Sequence, residues 1–83
     1  MKQTYQYTVN FEETEDRVIL ATVPALPGCV SYGHTLDEAE KNIREAIECY
    51  LEGLQEIGEE IPVEERTAAL STTKVLTVNL SAA

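Results

Sequence analysis

The chain has 83 residues, 43% apolar and 25% charged, with 15 acids against 6 bases and a net charge of −9. That length predicts a single domain over residues 1–83 with a thin core, since a chain this small buries only about 60% of the surface its unfolded form exposes. The composition excludes a wholly disordered chain; no apolar run approaches the roughly 20 residues of a membrane span, and no secretory signal follows Met1-Lys2, so the expected location is cytoplasmic.

Residues 4–11 alternate, with Tyr5, Tyr7, Val9 and Phe11 on one side and Thr4, Gln6, Thr8 and Asn10 on the other. Period 2 with aromatic and β-branched residues predicts a half-buried strand. Glu12-Glu13-Thr14-Glu15-Asp16 reads as a polar turn, and residues 17–23 as a second, more continuously apolar strand, so the two form a hairpin. Pro24-Ala25-Leu26-Pro27-Gly28 ends it. Neither proline can donate to a ladder, and Gly28 tolerates a positive φ, so the segment is expected to be a rigid, exposed turn. Residues 29–33 predict a short third strand.

The helix signal is the strongest. Thr35 and Glu38 make a capping box, and Leu36, Ala39, Ile43, Ala46, Ile47, Tyr50, Leu54 and Ile57 follow at helical spacing within an arc of about 100°. Gly58 is a natural stop. Residues 58–73 read as a polar loop, with room for a helical turn near Val63–Leu70, and residues 74–80 as a last strand with Leu76, Val78 and Leu80 on one side. The order is β-β-β-α-β, an α+β fold. A three-stranded antiparallel meander is covered by one long helix, and the last strand returns to the sheet edge. A helix crossover favours parallel pairing of that strand beside the first.

The charge is concentrated. Residues 37–65 hold 11 acids and only Lys41 and Arg44, while the remainder balances to zero. Such a block repels nucleic-acid phosphate and attracts basic partners, so direct nucleic-acid binding is not expected. Catalytic, metal and cofactor sites find little support. Cys29 and Cys49 form neither a disulfide framework nor a CxxC pair, and one histidine supplies no zinc set. His34 reads as an exposed loop residue or as a ligand contact at the helix start. A Cys–His nucleophile would need an orienting third group that the sequence does not offer. Cys49, at the edge of the apolar stripe, is expected to be a small buried thiol.

Glu45, Glu48, Glu52 and Glu56 line the back of the helix. Pairs such as Asp37–Lys41, Glu40–Arg44, Lys41–Glu45 and Arg44–Glu48 relieve the first half only, and acids near a helix C-terminus oppose its macrodipole. The stripe reads either as a docking face for a basic protein or as a solubilising surface. Gly53, costly inside a helix, marks a subunit contact, close packing or simple tolerance. A thin core and open sheet edges predict self-association as a homodimer or a tetramer.

The run Val23-Pro24-Ala25-Leu26-Pro27-Gly28-Cys29-Val30-Ser31-Tyr32-Gly33-His34-Thr35-Leu36-Asp37-Glu38-Ala39, continued by Asn42–Ile47 and Gly58–Pro62, resembles the HicB antitoxin core, in which P-x-L-P-G-C leads to a G-x-T-x-x-E-A helix start. The resemblance covers roughly residues 5–62. It implies a partial RNase H-like fold and a non-enzymatic role, binding and occluding HicA, a small basic ribonuclease that cleaves messenger RNA. The alternative is a stand-alone HicB-like scaffold without a toxin. Full-length HicB antitoxins commonly add a DNA-binding domain, and none is expected here. The partner surface is expected at Leu26, Pro27, Gly28, Tyr32, Glu45, Glu48, Glu52 and Glu56.

Overall fold

The computed structural model describes residues 2–63 and 73–81. Alternation makes β1 (Lys2–Glu13) a long strand, and β2 (Ile19–Thr22) and β3 (Val30–Gly33) follow it antiparallel. Strand β4 (Thr73–Ser81) lies on the other side of β1, giving the order β3-β2-β1-β4.

The position of β4 beside the first strand is as expected, but its direction is not. It runs antiparallel, from Thr73 opposite Asn10 to Ser81 opposite Lys2. A parallel partner would follow from a helix that directly delivers the chain to the next strand. Here 16 positions separate Glu56 from Thr73, enough chain to travel back before β4 starts. The helical turn expected near Val63–Leu70 falls almost wholly outside the described residues.

The hairpin turn takes Arg17, expected to open the second strand, into the left-handed region at φ 61°. The Arg17 amide donates to the Thr14 carbonyl at 3.1 Å and the Thr14 amide to the Val18 carbonyl at 2.8 Å. The ladder begins only at Ile19 because the turn uses Arg17 and Val18.

One face of the sheet is the core. Tyr7, Val9, Ala21, Leu76 and Val78 are buried there against Ala39, Ile43, Ile47 and Leu51 of helix α1 (Leu36–Glu56), with Tyr5 and Phe11 partly buried beside them. The other face, carrying Thr4, Gln6, Glu12, Val30, Tyr32 and Val75, is uncovered by described residues.

The helix begins and ends as its sequence demands. Thr35 Oγ1 accepts from the Glu38 amide at 3.1 Å, and Glu38 reaches back to the His34 amide at 3.3 Å. At the far end Gly58 has φ 75°. Its amide donates to Gln55 and that of Glu59 to Leu54, a Schellman ending that only a residue free of Cβ strain closes cheaply.

The buried stripe is turned relative to expectation. Leu51, outside the expected arc, is fully buried, while Leu36 and Ile57, which lie within the buried arc but at the two ends of the helix, are 54% and 72% exposed. At 100° per residue this moves the stripe toward the flank of Arg44, the flank over β4. A fourth strand widens the sheet on that side, so Leu51 finds apolar partners there.

Candidate partner-binding face

Opposite the core stripe, Glu45, Glu52 and Glu56 are exposed and Glu48 is half-buried. From Glu45 to Glu56 the helix carries four acids and no base, and its last turn contains none of the cations that would offset the macrodipole. Within the helix, Arg44 is the nearest cation, and its guanidinium donates to the Thr77 carbonyl on β4. The second half of the row, Glu52 and Glu56, therefore has no helix cation within a turn of it.

The 24–28 turn sits beside the second half of the helix, where the Tyr50 hydroxyl donates to the Pro27 carbonyl at 3.1 Å. Pro27 and Gly28 are exposed, and Gly28 takes φ 82°. Leu26 departs from the expected exposed turn: it is wholly buried. Its amide donates to Val23 and its carbonyl accepts from Cys29, which folds the turn inward and plugs the core with the leucine side chain. Leu26 therefore holds the turn in place and offers no surface to a partner.

Tyr32 is 64% exposed but lies on the uncovered sheet face, on the other side of the molecule from the helix back. The structure thus brings the Pro27–Gly28 turn to the helix and separates Tyr32 from the acid row.

The remaining candidates are placed as follows. His34 is exposed just before the helix cap. Cys29 is buried, and burial pushes its thiol above the ordinary range, with Cys49 adding to the effect. Cys49 itself is exposed, against expectation, because it falls on the Asn42–Gly53 flank, outside the turned stripe. A Cβ on Gly53 would meet nothing within 4 Å, so no close packing among the described residues requires that glycine. Among the described residues, no three His, Cys, Asp or Glu side chains gather to hold a metal, and no helix is long and apolar enough to cross a membrane.

Asn42 and Arg44 have roles the residue pattern alone did not reveal. Asn42 Nδ2 donates to the Tyr32 carbonyl on edge strand β3 at 2.8 Å, while Arg44 serves β4, the opposite edge. Their signal was positional: they flank Ile43 on either side of the stripe.

Residues 7–76 match the family model of the HicB-like antitoxin of bacterial toxin–antitoxin systems. The chain belongs to the HicB-like antitoxin family. The UPF0150 protein Ta0767 of Thermoplasma acidophilum is 47% identical over 57 residues, spanning 69% of this chain and 83% of the relative. Among solved structures, the N-terminal domain of Burkholderia pseudomallei antitoxin HicB superposes with a TM-score of 0.68 at 29% identity, covering 93% of this chain and 99% of that domain. A HicA3 and HicB3 toxin–antitoxin complex contains a chain of the same fold, with a TM-score of 0.62 at 17% identity and coverage of 96% and 100%. The HicB-like α+β fold is therefore established, and the long helix of this member carries the acid row on its open side.

Proposed function

We propose that this chain is a non-catalytic antitoxin that neutralises a small, basic, HicA-like ribonuclease by covering its RNA-binding surface. The observation that carries the reading is the row Glu45, Glu48, Glu52 and Glu56 on the open side of the helix, with no helix cation beside its second half. In the free chain this row is a liability, since like charges at i+3 and i+4 spacing and acids at a helix C-terminus each destabilise the helix. A cationic partner turns the liability into complementarity and accelerates encounter. Membership of the antitoxin family supports the same assignment.

The test is a titration of a HicA-like protein with the wild-type chain and with the double variant Glu48→Lys, Glu52→Lys. The reading requires binding that weakens with added salt, and an affinity lowered about tenfold or more by reversing two charges. An unchanged affinity at low salt would remove the helix from the interface.

A further inference from the structure

We infer that Cys29 and Cys49 are a redox-modifiable pair, able to close a reversible disulfide that ties the entry of β3 to the second half of helix α1. Both thiols are free in the structure, Cys29 buried and Cys49 exposed. Three contacts fix how the helix lies over β3. A Cβ on Gly33 would meet the Ala39 backbone, Asn42 Nδ2 donates to the Tyr32 carbonyl, and the Tyr50 hydroxyl donates to the Pro27 carbonyl. Positions on the helix rise as those on the strand side fall, so the two segments run antiparallel.

That arrangement sets the two cysteines level. From Asn42 to Cys49 is two helical turns, about 10.5 Å along the axis, with Cys49 only about 20° round from Asn42. From Tyr32 back to Cys29 is three strand residues, about 10 Å. The Val23 amide bonds the Cys29 carbonyl at 3.2 Å and so continues the register in which Thr22 faces Val30. Alternation then puts Cys29 on the same side as Gly33, the side against the helix. On this flank one side chain, that of Asn42, already bridges helix and strand. Two cysteine side chains facing each other have the reach for a bond that needs Cα atoms about 4.4–6.8 Å apart. Cys29 also responds to its neighbour: burial, and then the Cys49 thiol, push it above the ordinary range.

The oxidant is a low-molecular-weight disulfide. The Cys49 thiolate attacks one of its sulfurs, the reagent S–S bond breaks, and one reagent thiolate leaves with the electron pair. Cys29 then gives up its proton and attacks the Cys49 sulfur of the mixed disulfide, expelling the second reagent thiolate. Two cysteine thiols are oxidised to one disulfide. One reagent disulfide is reduced to two thiols, which take up the two cysteine protons. Exposure sets the order: Cys49 meets the reagent, and sheltered Cys29 resolves it. Glu48 adjoins Cys49, and Glu45 and Glu52 lie a turn away, so a neutral disulfide approaches more readily than an anionic one. The closed ring contains β3, the helix cap and the first half of the helix. Closing it restricts the unfolded chain, so oxidation should stabilise the fold.

The test incubates dilute, folded full chain with 2-hydroxyethyl disulfide and follows intact mass, a non-reducing peptide map and urea unfolding. The expected product has lost both thiol hydrogens, yields a Cys29–Cys49 linked peptide, and unfolds at higher urea, all reversed by dithiothreitol. Closure from the mixed disulfide should be at least about tenfold more favourable in native buffer than in urea. Cys29→Ser should stop at the mixed disulfide on Cys49, and Cys49→Ser should stay unmodified while folded. Circular dichroism checks both variants. Should Cys29→Ser fail to fold, the wild-type peptide map and Cys49→Ser carry the test. A folded wild-type chain that does not react, stops at the mixed disulfide, or links Cys49 to Cys49 of another copy overturns the proposal. So does a Cys29–Cys49 bond that lowers the urea midpoint.

Discussion

The hydroxyl of Tyr7, on a wholly buried ring in the middle of β1, donates to the carbonyl of Pro62 at 2.6 Å. It fastens the segment beyond the helix onto the sheet, 55 positions away in sequence. The ring belongs to the buried core while its polar tip finds a partner, as a buried tyrosine requires. Tyr7→Phe keeps the ring and deletes the bond. We expect a loss of about 1 kcal/mol in urea unfolding, with the helix and its acid row unaffected. A neutral substitution would show that the bond does not hold the segment.

The turned helix makes a second prediction. Leu51→Ala should cost about 2–5 kcal/mol, because it empties a site sealed by sheet and helix. Leu36→Ala, at a half-exposed position, should stay within about 0.5 kcal/mol. Equal costs in chemical denaturation would contradict the burial of Leu51 and the exposure of Leu36.

Two glycines should respond with opposite signs. A Cβ on Gly33 would lie 2.5 Å from the Ala39 nitrogen and 2.9 Å from the Glu38 carbonyl carbon, both backbone atoms of the first helical turn. Gly33→Ala must push the helix off the sheet, a cost of about 1–3 kcal/mol or more, with early melting as its readout. Gly53→Ala meets open space and removes a helix-interior glycine, so a gain of about 1 kcal/mol is expected.

The thiols separate by exposure. Cys49 should react with an alkylating reagent in the folded chain, and Cys29 only on unfolding. Because burial raises the folded thiol of Cys29, the unfolded chain releases that proton first as pH rises. Its contribution to stability is therefore intact below the unfolded thiol value of about 8.5 and is lost as pH climbs past it. The urea midpoint should fall across this range, and fall less in Cys29→Ala. Rapid native labelling of Cys29 would contradict its placement.

Much of this was legible in the residues. The alternation of Tyr5, Tyr7, Val9 and Phe11, the Thr35–Glu38 cap and the Gly58 stop act through local geometry, and each is realised. What escaped depends on distant neighbours. The direction of β4 depends on the path between helix and strand, and the burial of Leu51 depends on β4 widening the sheet. Leu26 turned inward because its two backbone bonds curl the proline turn, which proline and glycine spacing does not specify. The expected partner set divides for the same reason. Its acids share a helix face by periodicity, whereas Tyr32 joins another surface through strand pairing.

Recovery of the partner tests the antitoxin assignment most directly. Wild-type chain and the Glu48→Lys, Glu52→Lys variant would be used in parallel as bait in native cell extract at low salt, with mass spectrometry of what high salt releases. A small basic ribonuclease of the HicA type should be retained by the wild-type chain and lost, or sharply reduced, with the variant. Retention of that protein equally by both baits, or recovery of no basic partner by either, would contradict it.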